Sequence, residues 1–246
     1  MRRFIVDQKI PVNSRQELRG EVVRHIATVL RLSEGDSFIL ADGKGNEALA
    51  TIAAIGEKSL TVDLTPAPHG NPAESPLSIT IYQALPKGDK LEEILQKCTE
   101  LGVASLVFFT AARSISRLDE SKISTKLTRW CKIAQEAARQ SGRSLVPEVR
   151  YSSEFIGDLG SDSSDLKLIL WEDESRQRLK ELLEGEECIS SVAVIVGPEG
   201  GLTMDEVEAA RREGFTPVTL GKRILRTETA APAISAILQF SLGDIG

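Results

Sequence analysis

The sequence predicts an α/β protein of two unequal domains, a β-rich domain over residues 1–72 and a larger α/β domain over residues 73–246. Four prolines fall within the twelve residues from Thr65 to Pro76, which is typical of a linker because proline lacks a backbone donor and favours extended geometry. Short apolar runs dominate before this linker. After it, strand-like apolar runs alternate with amphipathic helical runs, the pattern of a mainly parallel sheet covered by helices.

The first domain is predicted to be a small β-barrel with one helix. That helix is expected from about Gln16 to Leu30, with Ser14 as its cap, and Asp42–Asn46 is expected to form a hairpin loop. The expected strands are short apolar runs, at Phe4–Val6, Ser37–Ala41, Ala48–Ile55 and Ser59–Leu64.

The second domain is predicted to alternate five strands with five helices. Thr203 and Glu206 have the spacing of a helix capping box. Ligands of parallel sheets bind beyond the carboxyl ends of the strands, so the loops after Trp171, Val196 and Leu220 are the places to search for a site. The expected strands are Leu77–Ala84, Leu106–Phe109, Leu166–Trp171, Ser191–Val196 and Val218–Leu220, and the expected helices are Lys87–Leu101, Glu120–Gln140, Ser175–Leu183, Thr203–Glu213 and Glu228–Leu242.

Composition excludes several classes of protein. The chain has 246 residues, 41% of them apolar, and a net charge of −6. Three widely spaced cysteines argue against a disulfide framework, and two early histidines argue against a zinc site or a Ser-His-Asp triad, so no metal is expected. No apolar run approaches the roughly 18 residues that span a bilayer, and the N-terminus lacks a signal-peptide core. A cytoplasmic protein without a membrane partner is therefore expected.

A glycine-rich loop, Gly197–Gly201, follows the most apolar strand. Three glycines in five residues let the backbone approach a ligand closely. The loop matches neither the P-loop nor the dinucleotide-binding fingerprint. A tight turn without a ligand is the alternative reading.

The segment Leu220–Ala230 concentrates charge at the next strand-to-helix connection. It carries three cations, two threonines and a glutamate, and Glu228 falls at the helix start, where negative charge is favoured. Ile224 and Leu225 interrupt the polar residues and could wall an apolar pocket. A purely structural loop is the alternative.

Charge is segregated along the chain. Residues 113–150 hold nine Lys/Arg against four Asp/Glu, a local charge of +5, whereas residues 151–190 hold four against eleven, a local charge of −7. A basic stretch in an acidic protein permits one polyanion-binding surface, although an ordinary solvated helix face explains it equally well.

The two loops together closely resemble the signature of the SPOUT superfamily of RNA methyltransferases, and most closely the bacterial family that methylates N3 of a uridine in 16S ribosomal RNA. The resemblance extends over nearly the whole chain. It departs from the family pattern at Ile26, Cys98 and Arg139. The other matching segments are His25–Leu32 with Gly35 and Asp36, Lys97–Val103, and Glu136–Arg143 with Pro147.

The resemblance implies a PUA-like RNA-binding barrel followed by an α/β domain with a deep trefoil knot that holds S-adenosylmethionine. It implies a homodimer whose partner is 16S ribosomal RNA or the small ribosomal subunit. The apolar residues of the last helix agree with a dimer surface, unless that helix packs entirely on its own sheet.

Residue roles follow from the loops and the resemblance together. The catalytic candidates are Arg226, to stabilise the uracil anion, and Glu228, as proton acceptor or as the partner that orients Arg226. The RNA-binding candidates are Arg2, Arg3, Arg24, Arg31, Arg113, Arg117 and Arg143. The cofactor-binding candidates are Leu170, Trp171, Glu172, Val196, Gly197, Glu199, Gly200, Gly201, Leu220, Gly221, Ile224, Leu225, Thr229 and Ala230.

Two other functional classes stay open at this point. One is a non-catalytic RNA-binding module, which would lack affinity for the cofactor. The other is a nucleotide-dependent enzyme on an ordinary doubly wound sheet, which would bind adenine nucleotides through Gly197–Gly201.

Overall fold

The computed structural model describes residues 2–68, 74–172, 178–183 and 189–246. The chain forms two compact units, Met1–Glu74 with Ala138–Val146, and Ser75–Ala137 with Pro147–Gly246. The segment 138–146 thus joins the first unit, whereas the predicted division placed it in the second domain. The Glu74 carboxylate explains this, because it accepts hydrogen bonds from the Arg143 side chain and from the backbone N–H groups of Ser144 and Leu145.

The first unit contains a mixed five-stranded sheet of order β1-β3-β4-β5-β2, in which β1 and β3 are parallel and the other pairs antiparallel. A short helix α1 and a π-helical turn, His25–Val29, follow β2. The loop Asp42–Asn46 joins β3 to β4, as predicted. The elements are β1 (Arg3–Ile5), β2 (Ser14–Arg19), α1 (Glu21–Arg24), β3 (Ser37–Ala41), β4 (Glu47–Ile55) and β5 (Ser59–Pro66).

The predicted helix from Gln16 to Leu30 is wrong in its first part. Residues Ser14–Arg19 form β2 and pair with β5 along their whole length, and Ser14 is therefore not a helix cap. The Leu18 side chain of this strand is buried in the core of the first unit. Gly20, whose φ of 84° suits glycine, separates the strand from α1.

The second unit contains a six-stranded sheet of order β11-β9-β10-β6-β7-β8, in which every pair is parallel. The prediction of a mainly parallel sheet is confirmed. The elements are β6 (Ser78–Ala84), α2 (Lys90–Glu100), β7 (Ser105–Phe109), α3 (Glu120–Ser141), β8 (Glu148–Ser152), α4 (Phe155–Ser161), β9 (Leu166–Leu170), α5 (Leu179–Leu183), β10 (Ser191–Val196), α6 (Met204–Arg212), β11 (Thr216–Val218) and α7 (Thr227–Leu242).

Three elements differ from the prediction. The edge strand β8 and the short helix α4 were not predicted, because β8 is only partly buried and α4 has one fully buried residue. Strand β11 begins at Thr216 rather than Val218, since residues 216–218 pair with β9. Part of the predicted helix Ser175–Leu183 lies outside the described residues, and Leu179–Leu183 is helical. The capping box of Thr203 and Glu206 is confirmed.

The core of the second unit places polar groups at one edge of the sheet. The apolar residues of the central strands β6 and β10 are buried on both faces of the sheet. At the carboxyl end of β6, Gln83 is fully buried and faces a hydrogen-bond partner on α7. No helix in the described part of the chain is long and apolar enough to cross a membrane.

Candidate functional site

A cavity of about 820 Å³ lies at the carboxyl ends of β9, β10 and β11, where the sequence placed the site. Its walls combine apolar side chains, backbone and charged groups, a lining that suits a small organic ligand with polar ends. The lining residues are Lys90, Leu170, Trp171, Glu172, Arg178, Val196, Gly197, Pro198, Glu199, Gly201, Leu202, Val218, Thr219, Leu220, Gly221, Lys222, Arg223, Ile224, Leu225, Arg226, Thr227 and Ala230.

The glycine loop is fixed by a buried hydrogen-bond chain from α7 and β6. The Gln83 side-chain amide donates to Thr227 Oγ1 at 2.9 Å, and the Thr227 hydroxyl donates to the Gly197 carbonyl at 2.8 Å. Both side chains are buried. These two hydrogen bonds fix the direction in which Gln83 and Thr227 donate. The Gly197 carbonyl therefore already has one partner within the protein, and Thr227, the first residue of α7, ties that helix to the glycine loop.

Two glycines of this loop pack closely against neighbouring residues, so that an added side chain would force these neighbours to shift. A Cβ on Gly201, whose φ is 68°, would lie 3.0 Å from Glu172 Oε1. A Cβ on Gly200 would lie 3.1 Å from Arg113 Cβ and 3.4 Å from the Arg113 carbonyl oxygen. Arg113 also donates to the Gly200 carbonyl at 3.1 Å. The loop therefore packs against Glu172 on one side and Arg113 on the other.

Lys90, the first residue of α2, joins the two loops electrostatically. Its ammonium lies 3.0 Å from Glu199 Oε1 and 3.2 Å from Glu228 Oε2. Glu199 also accepts hydrogen bonds from the Lys87 N–H. These two carboxylates raise the pKa of Lys90 above its usual range, so it stays protonated at neutral pH.

Both catalytic candidates stand at the start of α7. Arg226 precedes the helix as its N-terminal cap residue, lines the cavity and has a side chain 83% exposed. The Glu228 side chain is 15% exposed, and its Oε1 lies 3.9 Å from Arg226 Nη1. A hydrogen bond from its own backbone N–H and the neighbouring Lys90 lower the pKa of Glu228. Glu228 is therefore a weaker base than an ordinary glutamate.

One wall of the cavity comes from the end of β9. Trp171 donates its backbone N–H to the Val218 carbonyl of β11, and the guanidinium of Arg211 lies 5.9 Å from the centre of its ring. This contact fixes the Trp171 ring from the α6 side. The neighbouring Glu172 side chain lines the cavity beside Gly201.

Most of the predicted cofactor-binding residues come together in this cavity. Gly200 does not line it but packs on Arg113, and Thr229 is exposed on α7 outside it. The sequence reasoning did not name Lys90, Thr227 or Arg178: Lys90 and Arg178 lie outside both loops, and Thr227 lies in the Leu220–Ala230 segment but was passed over there. The predicted residues that line the cavity are Leu170, Trp171, Glu172, Val196, Gly197, Glu199, Gly201, Leu220, Gly221, Ile224, Leu225 and Ala230.

The predicted RNA-binding arginines fall into two groups. Arg143 is buried and paired with Glu74 at 3.0 Å, and Arg3 pairs with Glu47. Both guanidinium groups therefore form ion pairs within the first unit. Arg113 donates to the backbone carbonyls of Gly200, in the glycine loop, and of Leu202, which follows it. Within the described part of the chain, four side chains are exposed to solvent and form no such ion pair or hydrogen bond, those of Arg2, Arg24, Arg31 and Arg117.

Within the described ranges, no group of three or more His, Cys, Asp or Glu side chains is arranged to hold a metal ion. The lining of the cavity instead fits an organic cofactor. Leu170, Val196 and Leu225 supply apolar wall, and Gly201 allows close approach of the main chain. Exposed backbone of the two loops supplies polar groups for the ends of a nucleoside or an amino acid.

The fold and the cavity are those of an RNA methyltransferase domain, and the family model of that domain matches residues 73–239. A model of the RNA methyltransferase PUA domain matches residues 18–65. The chain is 37% identical to ribosomal RNA small subunit methyltransferase E of Bacillus subtilis over 96% of both chains. It belongs to the family of ribosomal RNA small subunit methyltransferase E.

Solved structures agree with this assignment. Ribosomal RNA small subunit methyltransferase E from Neisseria gonorrhoeae, bound to S-adenosylmethionine, has a TM-score of 0.85 at 33% identity and covers 100% of both chains. A methyltransferase from Legionella pneumophila in complex with S-adenosylmethionine has a TM-score of 0.84 at 32% identity and covers 99% of this chain and 98% of its own. The predicted SPOUT and PUA-like fold class is confirmed by these matches.

Proposed function

We propose that this protein is an S-adenosylmethionine-dependent methyltransferase that methylates N3 of a specific uridine in 16S ribosomal RNA. One observation carries the proposal. The cavity at the carboxyl edge of the parallel sheet is built from the glycine loop and the segment Leu220–Ala230, in a chain that matches S-adenosylmethionine-bound relatives from end to end.

S-adenosylmethionine supplies an electrophilic methyl group on a sulfonium, so the protein has to orient two reactants and exclude water. The residues present fit that task. The apolar side chains of β9, β10 and the Leu220–Ala230 segment would enclose the nucleoside, and the backbone around Gly197 and Gly201 would approach it closely. The Gln83–Thr227 chain keeps this backbone in place before the ligand arrives.

Arg226 is the residue we assign to charge stabilisation. Uracil N3 becomes a nucleophile when it loses its proton, and the resulting charge spreads onto the two flanking carbonyl oxygens. A guanidinium presents fixed donors to such oxygens and stays charged at any working pH. Arg226 is exposed at the mouth of the cavity, where an incoming base can reach it.

Of its two predicted roles, Glu228 fits that of a partner that orients Arg226 better than that of a proton acceptor. Its lowered pKa and its ion pair with Lys90 make it a weak proton acceptor. Its position 3.9 Å from Arg226 suits a partner that limits where the guanidinium points. We therefore assign Glu228 to positioning.

The dimer, the knot and the role of the first unit belong to the same proposal. We propose that the protein forms a symmetric homodimer through α7, that its second unit is knotted as its resemblance to the superfamily implies, and that its first unit binds RNA. Ile234 and Leu238 of α7 are buried in their own unit, but Ile237 and Phe240 are exposed one turn apart and support a partner surface. We also propose a cytoplasmic location, because that is where a ribosomal RNA substrate would be met.

Calorimetry separates this function from its two alternatives. The proposed enzyme should bind S-adenosylmethionine and not ATP. Binding of ATP alone would favour a nucleotide-dependent enzyme on the same sheet. Binding of neither, together with retained RNA affinity, would favour a non-catalytic RNA-binding module.

A further inference from the structure

The mouth of the cavity carries cations from two chain segments that are held side by side. Arg178 forms an isolated parallel bridge with Thr219, and the Leu179 N–H donates to the Thr219 carbonyl at 3.4 Å. Thr219 leads directly into the loop that carries Lys222 and Arg223. All three cationic side chains line the cavity and are exposed.

These three residues, which we call the cationic rim, have no carboxylate partner among the residues that the structure describes. Among the residues that the structure describes, no carboxylate lies within ion-pair distance of Arg178, Lys222 or Arg223. Two carboxylates line the cavity: that of Glu199 is paired with Lys90, and that of Glu172 lies beside Gly201 and forms no ion pair with the rim among the described residues. The rim therefore presents net positive charge to whatever enters the cavity.

We propose that the cationic rim binds backbone phosphates of the RNA strand on either side of the target uridine. This rests on the proposed function and specifies where its substrate is held. S-adenosylmethionine has a single carboxylate, accompanied by an amine and a sulfonium, and cannot use three further cations. A phosphate backbone can, because each nucleotide brings one negative charge and Lys or Arg side chains neutralise it directly.

An exposed apolar side chain next to the rim points to a single strand rather than a closed helix. Ile224 follows Arg223, lines the cavity and is 81% exposed. An unstacked base can cover such a side chain, and a base must leave its stack before its N3 edge is reached. Proteins that bind single-stranded nucleic acid usually combine a positively charged groove with side chains that cover the faces of the bases, most often aromatic ones.

The rival surface is the basic stretch of residues 113–150 that the sequence singled out. On α3 it offers Lys122, Lys126 and Lys132, which are exposed and match the rim in charge. Two triple variants therefore make a matched pair, each losing three positive charges. One is Arg178→Gln, Lys222→Gln, Arg223→Gln, and the other is Lys122→Gln, Lys126→Gln, Lys132→Gln.

The test is the salt dependence of binding to unmodified 16S ribosomal RNA transcript, measured without cofactor on the full-length protein. For single-stranded contacts the slope of log K against log salt changes by about 0.7 per phosphate, so the rim variant should flatten it by about two units. The α3 variant should keep the wild-type slope. Affinity for S-adenosylmethionine, measured separately, should be unchanged in both.

Three results would overturn the proposal: a wild-type slope in the rim variant, equal flattening in both variants, or a loss of cofactor affinity in the rim variant. The last would mean that the rim holds the cofactor carboxylate. Because RNA binding is measured without methyl transfer, the test of the rim does not depend on whether the wild-type protein methylates RNA.

Discussion

Replacing Thr227 by valine tests the buried chain that fixes the glycine loop. Valine keeps the shape of threonine and removes only the hydroxyl, which donates to the Gly197 carbonyl and accepts from Gln83. Gln83 keeps its hydrogen bond to the Ala84 carbonyl, but its other amide N–H loses its acceptor, just as the Gly197 carbonyl loses its donor. Leaving a buried polar group without its partner costs about 1–3 kcal/mol.

A cost of about 2 kcal/mol corresponds to a fall in Tm of about 4–8 °C for a protein of this size. The Gly197 backbone lines the cavity, so part of the cost should also appear as weaker binding of S-adenosylmethionine, by about tenfold. Differential scanning calorimetry and isothermal titration on the same preparation measure both quantities. Thr227→Ser, which retains the hydroxyl, should recover most of the affinity.

Thr229→Val is the matched control, because Thr229 lies on the same helix but is exposed outside the cavity. It should change stability by less than about 0.5 kcal/mol. If Thr227→Val behaves like this control in both measurements, the hydrogen-bond chain does not hold the loop and the reasoning is refuted.

Three further predictions concern Arg226, Lys90 and the exposed face of α7. Arg226→Ala should keep cofactor affinity but lower the single-turnover rate by about 10²–10³-fold, with partial rescue at high pH. A large loss of cofactor affinity without rescue would instead mean that Arg226 supports the loop structurally. Lys90→Met should lower Tm at neutral pH because it removes the nearest cation of both Glu199 and Glu228. Lys90 helps to lower the pKa of both carboxyls, so the difference from wild type should shrink as pH falls below about 4.5, whereas Lys97→Met, on the same helix, should show little difference at any pH. Phe240→Asp should convert a dimer of about twice 26.7 kDa into a monomer in light scattering, and a monomeric wild type would refute the dimer.

Features of the site that are local in sequence could be predicted from the sequence. The glycine loop Gly197–Gly201 and the segment Leu220–Ala230 can each be recognised from their composition. Both follow predicted parallel strands, so both are expected at the carboxyl edge of the sheet, where ligands bind. The capping box at Thr203 is equally local. These signals were enough to locate the cavity.

Contacts between distant segments could not be predicted in the same way. Lys90 and Glu199 are 109 residues apart, and Gln83 and Thr227 are 144 apart. Their pairing depends on which strands are neighbours in the sheet, and no local pattern encodes that. Arg143 illustrates the same limit, because its basic neighbours suggested an RNA surface, whereas its partner Glu74 lies in the linker region.

The error at Gln16–Arg19 has a different physical cause. The residues of this segment are compatible with a helix when taken alone, but pairing with β5 satisfies their backbone hydrogen bonds and buries Leu18. Tertiary pairing routinely overrides the weak local preference for helix or strand.

The central claim is methyl transfer to N3 of one uridine, and one measurement tests it directly. The wild-type protein is incubated with methyl-labelled S-adenosylmethionine and either free 16S ribosomal RNA or small ribosomal subunits that lack the modification, and the labelled nucleoside is isolated and its position mapped. We expect one molar equivalent of label, recovered as 3-methyluridine at a single position. Label at another atom or base, or no label in either substrate from a protein that binds the cofactor, would contradict the account.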